Sequence, residues 1–325
     1  MIPDPRERSL VTGANGQDGV YLLERLLSAG DDVHAMVHSD HGAAALAKAF
    51  PTVVAHVADL GDAKGIRELI DDVEPSRVFN LAGNTSVAKS WESPAEAADI
   101  LGVGPIRVLE AAWNLGERTG NPVRMLQASS AEIFGDATEV PQNESTPRRP
   151  VTPYGAAKGF AHEMAMVYRA RGMHVSTAIL YNHESPRRPD TFVARKIAVA
   201  VARIALGVQE KIELGNIDVS RDWGYAPDYV DAMIRIISQP KGGDFVVATG
   251  VAHTVREFVA EAFGVAGVED WEDRVVIDRG LYRPADPLRL VGDPSKLRSI
   301  GWEPRVSFTE LVRIMVTAEL DRART

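Results

Sequence analysis

Ser9-Leu10-Val11-Thr12-Gly13-Ala14-Asn15-Gly16-Gln17-Asp18-Gly19 decides the fold of this 325-residue chain. An apolar run ends at Thr12, a glycine-rich turn follows, and an amphipathic stretch covers residues 20–29. Strand, glycine turn and helix in that order are the context a dinucleotide fingerprint requires. Gly13, Gly16 and Gly19 let the backbone approach a pyrophosphate, which the helix N-terminus then stabilises. Asn15, Gln17 and Asp18 complete the turn and join them as candidate cofactor contacts. Read in isolation, the same glycines make only a tight turn.

Outward from this turn the alternation continues. Strands are expected at 32–37, 53–57, 77–82 and 123–128, and helices at 43–49, 63–73 and 95–115, with a further helix carrying Tyr154 and Lys158. Such a pattern predicts an α/β fold with a doubly wound parallel sheet, in which ligands bind at the carboxyl ends of the strands. Asp59, the stretch 82–86, and Ser130 with Glu132 each lie just past a strand end, so they converge on one crevice. The expected division is a dinucleotide-binding domain over 1–182, with a returning segment near 225–250. A smaller nucleotide-sugar-binding lobe is expected from 183–224 and 251–325.

Composition narrows the class. A net charge of -9 argues against nucleic acid as the main partner, while leaving room for a local basic pocket. The absence of cysteine excludes disulfides, thiolate metal sites and cysteine nucleophiles, and no metal site is expected. No apolar run reaches the ~18 residues of a membrane span, and the polar start leads straight into a strand. A cytoplasmic location with no membrane partner is the expectation.

Tyr154 and Lys158 are four residues apart, so on one helix they share a face. An ammonium beside a phenol stabilises the phenolate and makes the tyrosine a usable base. Basic residues beside turns, namely Arg187, Arg188, Arg195, Lys196, Arg221 and Arg283, are a candidate clamp for a diphosphate. The alternative for each is a solvated surface charge.

Thr12-Gly-x-x-Gly-x-x-Gly19, Asp59-Leu60, Asn80-Leu-Ala-Gly83 and Tyr154-x-x-x-Lys158, in that order, resemble the extended short-chain dehydrogenase/reductases. Gln127-Ala-Ser-Ser-Ala-Glu-Ile-Phe-Gly135 and Tyr181-Asn-His-Glu-Ser-Pro-Arg-Arg188 are similar to segments of GDP-mannose 4,6-dehydratases. That resemblance implies a hydro-lyase working on a GDP-sugar with bound NADP or NAD. Ser130, Glu132, Tyr154 and Lys158 would be catalytic, with Glu132 removing the carbon 5 proton. Asp59 and Leu60 would contact adenine, although Asp59 could instead cap a helix. Leu81, Ala82 and Gly83 would line the path to the nicotinamide ribose, and His183 would sit against the cofactor. Substrate contacts would come from Ser86, Glu132, Asn182, Glu184, Arg188, Arg195, Lys196, Gly215, Asn216, Arg221 and Arg283.

Two departures from the family pattern matter. The stretch Val37-His38-Ser39-Asp40-His41-Gly42 lacks the arginines that hold a 2′-phosphate in those relatives and passes quickly to a helix. His38 and Ser39 remain candidate cofactor contacts, NADP and NAD both stay open, and a homodimer is expected rather than a tetramer. Ala131 stands where the related dehydratases carry a serine or an aspartic acid, so it has no proton to donate. A GDP-sugar epimerase or reductase sharing the 4-keto intermediate is the alternative enzyme, and a non-catalytic nucleotide-sensing protein the alternative from another class.

Overall fold

A computed structural model describes residues 6–282 and 289–324. The chain begins β1 (Arg8–Thr12), α1 (Gln17–Ser28), β2 (Asp32–Val37), α2 (Asp40–Ala49), β3 (Val54–Val57), α3 (Ala63–Val73) and β4 (Arg77–Asn80). A short helix α4 (Val87–Glu92) comes next, and the stretch expected as one helix over 95–115 is divided among α5 (Pro94–Ala98), a π-helical turn (Asp99–Val103) and α6 (Gly104–Thr119). Two prolines explain the breaks. Pro94 and Pro105 have no N–H to donate, so each stands in the first turn of a new segment.

β5 (Arg124–Ser130) ends two residues later than expected and delivers Ser130 to the cap of a 3₁₀ turn, Ala131–Ile133. α7 (Pro153–Ala170) starts where Thr152 Oγ1 accepts the Gly155 N–H and Pro153 fixes the first helical φ. β6 (Val175–Leu180) follows, buried along its whole length. The second half comprises β7 (Asn182–Glu184), α8 (Val193–Ala205), β8 (Ile212–Leu214), β9 (Ser220–Tyr225), α9 (Ala226–Ile237) and β10 (Asp244–Val247). It ends with β11 (Ala252–Thr254), α10 (Val255–Ala266), β12 (Val275–Ile277), β13 (Arg289–Leu290), α11 (Ser295–Ser299) and α12 (Phe308–Arg324).

Among the described residues, seven parallel strands form the main sheet in the order β10-β6-β5-β4-β1-β2-β3. The chain winds outward from β1 to β3, then returns to place β4 on the other side of β1. That reversal opens a crevice at the carboxyl ends of β1 and β4. β10 comes back to this sheet beside β6, whereas β7 pairs with β9 in a second sheet. α8, α10 and α12 pack around β9 on a core of their own, where Trp223 meets Phe258 edge-on and stacks with Phe308. No helix among the described residues is long and apolar enough to cross a membrane.

Candidate active site

A chain of buried polar groups joins the strand ends that frame the crevice. Thr12 Oγ1 donates to Asn80 Oδ1 at 2.6 Å and accepts the N–H groups of Leu81 and Ala82. Asn80 Nδ2 donates to Gln127 Oε1 at 2.7 Å, and Gln127 Nε2 donates to the Ala128 carbonyl. That same carbonyl accepts Lys158 Nζ at 3.0 Å. The role of Thr12, Asn80 and Gln127 was not read from the sequence. Polar residues at the ends of apolar strands were the available signal.

The catalytic candidates meet in one cleft, whose wall includes Ser130, Ala131, Glu132, Tyr154, Lys158, Asn182, Arg188 and Arg221. Ser130 and Glu132 come from the end of β5 and its 3₁₀ turn, Tyr154 and Lys158 from the first turns of α7. Ser130 stands close enough to the Tyr154 phenol to favour its ionised form. Lys158 Nζ stands 6.0 Å from the tyrosine ring centre. Burial pushes the phenol up to about 12, with Ser130 and Arg188 acting against the rise and Glu132 and Asp18 adding to it. Burial also pulls the Lys158 ammonium down to about 8. Burial thus makes the phenol harder to ionise in the ligand-free protein, because desolvation outweighs the opposing effects of Ser130 and Arg188.

A second cavity of about 460 Å³ adjoins the cleft. Its wall brings together Gly13, Asn15, Gly16, Gln17, Asp18, Gly19, His38, Asp59, Leu60, Leu81, Ala82 and Gly83. The glycines are there for close approach: a Cβ on Gly13 would lie 2.9 Å from Ala82 Cα, and one on Gly19 2.5 Å from the Gly13 carbonyl oxygen. Asp62, not Asp59, caps α3, which leaves Asp59 on the cavity wall. Ser39 is off that wall; its Oγ caps α2 by accepting the Gly42 N–H.

Asp18 lies in the first turn of α1, where a bare carboxylate would oppose a bound pyrophosphate. His183 neutralises it, with Nε2 2.8 Å from Asp18 Oδ2 and Nδ1 2.7 Å from the Tyr181 carbonyl oxygen. Both ring nitrogens face acceptors, an arrangement that favours the imidazolium. Burial works against both charges, yet each raises the stability of the other: Asp18 is held below the usual carboxylate range and His183 above the usual imidazole range. Gln17 adds two bonds, donating to the His183 carbonyl and accepting from Ser185 Oγ.

The substrate candidates are scattered more widely. Ser86, Asn182, Arg188 and Arg221 line the cleft, and Arg188 also lines the second cavity, stacked 3.8 Å over Phe192. Thr85, Thr191 and Phe192 share this wall without having been singled out. Glu184 is buried beside Arg188, with 3.3 Å between Oε2 and Nε. Arg195 turns away from the cleft: its Nε donates to Glu319 on α12 and its Nη1 to the Arg188 carbonyl. Lys196 lines a separate hollow near Glu213, whose carbonyl accepts its Nζ. Gly215 packs against Leu281, and Asn216 Oδ1 accepts the Asp218 N–H, both outside the cleft wall. Arg283 lies outside the described residues. Asp222 accepts N–H groups from Thr249, Gly250 and Gly292 and so serves the framework.

A glycine-turn cavity joined to a tyrosine–lysine cleft, on a parallel sheet of this winding, defines the class of extended short-chain dehydrogenase/reductases. Two solved structures share the architecture. RMD from Pseudomonas aeruginosa, complexed with NADPH, is 26% identical with a TM-score of 0.80, covering 97% of this chain and 99% of that one. UDP-glucose 4-epimerase from Thermus thermophilus, complexed with NAD, is 26% identical with a TM-score of 0.82, covering 96% and 98%. Within the class, the family described as GDP-mannose 4,6 dehydratase matches residues 10–315. GDP-mannose 4,6 dehydratase 1 of Arabidopsis thaliana is 42% identical over 335 residues, 99% of this chain and 92% of its own length. The chain belongs to the GDP-mannose 4,6-dehydratase family.

Proposed function

We propose that the protein is a nucleotide-sugar 4,6-dehydratase, a hydro-lyase that converts GDP-mannose to GDP-4-keto-6-deoxymannose. The observation that carries this reading is Glu132 in the same cleft wall as Tyr154, Lys158 and Ser130. A tyrosine–lysine pair suffices for alcohol oxidation, but elimination of water needs a carboxylate as well. The cavity along Gly13–Gly19 fits a nicotinamide dinucleotide, with the α1 N-terminus toward the pyrophosphate and Asp59 and Leu60 toward adenine. A dinucleotide held there would supply hydride acceptance from carbon 4 and its return to carbon 6, leaving no net redox change.

Tyr154 takes the proton of the 4-hydroxyl, oriented by Ser130. Oxidation makes the carbon 5 proton acidic, and Glu132 removes it. Ala131 has no proton to give, so Glu132 hands that proton to the departing 6-hydroxyl, which leaves as water; Glu132 then takes a proton from solvent and delivers it to carbon 5, and the proton held by Tyr154 returns to solvent. Asn182, Arg188 and Arg221 on the cleft wall bind the substrate, Arg188 and Arg221 through its diphosphate. The lobe formed by 183–224 and 251–325 is its proposed seat. We also assign a homodimer in the cytoplasm. Phe160 and Val167, at 48% and 56% exposure, share one face of α7 with Val103 nearby, and a second copy would cover them.

The test is incubation of purified protein with GDP-mannose and no added NADH. The expected product is a 4-keto-6-deoxy sugar carrying solvent deuterium at carbon 5, and Glu132→Gln should abolish it while retaining hydride transfer. A requirement for stoichiometric reduced cofactor would overturn the reading.

A further inference from the structure

We propose that the adenosine end of the cofactor cavity is built for a ribose with a free 2′-hydroxyl, so that this chain selects NAD over NADP at His38. The inference rests on the reading of that cavity as a dinucleotide site.

In a doubly wound sheet the adenosine ribose lies past the carboxyl end of the second strand, where a carboxylate suits a 2′-hydroxyl and an arginine a 2′-phosphate. The wall at that end is made by Asn15, Met36, Val37, His38, Asp59 and Leu60. It contains a carboxylate and no lysine or arginine. Among the described residues of the whole cavity wall, Arg188 is the one guanidinium or ammonium. It stands where the cavity meets the catalytic cleft, on wall shared with Asp18, Leu81 and Thr85, at the end remote from β2.

A 2′-phosphate brings a charge of about -1.5 to -2. His38 is the nearest group able to carry a compensating charge, but its Nε2 lies 3.5 Å from Asp59 Oδ2 and is already faced by an anion. Asp40, in the first turn of α2, adds a second carboxylate at the same strand end. The opening of α2 offers little in exchange. Ser39 Oγ accepts the Gly42 N–H, and Asn15 Nδ2 reaches to 3.0 Å from where a Gly42 Cβ would stand, so the turn is covered. A neutral 2′-hydroxyl meets the opposite circumstances: carboxylate and imidazole are hydrogen-bond partners for it, and it carries no charge to desolvate.

The test is direct binding, read by fluorescence titration of the protein freed of dinucleotide, with NAD+ and NADP+ as probes. Mass spectrometry of any dinucleotide released from the protein as purified gives a second readout. NAD+ should bind at least tenfold more tightly than NADP+ at neutral pH, and NAD should be the species released. His38→Arg should tighten NADP+ at least tenfold and so narrow or reverse the preference for NAD+. Equal or tighter binding of NADP+ by the unaltered protein overturns the inference while leaving the dehydratase reading intact. Binding of neither dinucleotide overturns both, and the unaltered protein decides the matter even where the variant does not fold.

Discussion

At the scale of single residues, burial sets the protonation states of the site before any ligand arrives. Lys158 keeps its ammonium only to about 8 in the fold, against 10.5 for an ordinary lysine. Between those values the unfolded chain binds the extra proton, so this residue makes stability rise with pH and costs the most below pH 8. At about 1.4 kcal/mol per unit, less about 1 kcal/mol for the lost bond to the Ala128 carbonyl, Lys158→Met should stabilise the ligand-free protein at pH 7. The net gain is about 2 kcal/mol, and it should fade toward pH 10.5. Urea unfolding at pH 7 and pH 10 checks this, and a loss of stability at pH 7 would contradict it. The same variant should lose about 10²–10⁴-fold in turnover. Spacing alone puts Tyr154 beside Lys158 on one helix face and Ser130 beside Glu132 at one strand end, while the fold brings the two pairs to one cleft wall. Arg195 and Lys196 were not legible in this way, since a long side chain follows whichever partner the tertiary fold supplies: Glu319 for one and the Glu213 carbonyl for the other.

At the scale of elements, the site depends on how closely α7 approaches the turn after β5. Gly155 makes that approach possible: a Cβ there would lie 2.5 Å from the Glu132 carbonyl oxygen and 3.1 Å from Thr152 Oγ1. Its backbone is ordinary helix, so the glycine serves contact rather than conformation. Gly155→Ala must push α7 away from the 131–133 turn or twist that turn, and either movement separates Tyr154 from Ser130 and Glu132. Overpacking of this kind costs about 1–3 kcal/mol, and a misplacement near 1 Å can cost about 10²-fold in rate. The expected result is a folded protein whose kcat falls far more than its stability, checked by steady-state kinetics beside thermal unfolding. Wild-type turnover in a stable Gly155→Ala protein would dissociate the contact from catalysis. Strand and helix order was legible from hydrophobic period and glycine turns, and α3 fell on the expected residues, Ala63–Val73. The broken helix before α6 was not, because its apolar positions stay periodic while Pro94 and Pro105 withdraw two backbone donors.

At the scale of the whole molecule, the glycine turn and the second sheet are held together by one buried ion pair. Asp18 belongs to α1, His183 to β7, and β7 pairs with β9 rather than with the main sheet. Gln17 reinforces the junction through the His183 carbonyl and Ser185. The imidazolium is stabilised in the fold, so its contribution is complete below the ordinary histidine value of 6.5 and declines as pH rises through the higher folded value. The carboxylate is stabilised too, so its share is complete above the ordinary aspartate value of 3.8 and is lost as pH falls through the lower folded value. Both are fully present between 3.8 and 6.5. His183→Gln leaves Asp18 buried without its counter-charge, at a cost of about 3 kcal/mol. The stability difference between the unaltered protein and this variant should therefore be greatest near pH 5–6 and shrink toward pH 9, as seen by urea unfolding across that range. Dinucleotide affinity should fall with it, because an unneutralised Asp18 then faces the pyrophosphate at the α1 N-terminus. A difference that grows with pH would mean His183 is neutral in the fold, and the junction would then be a hydrogen bond rather than an ion pair.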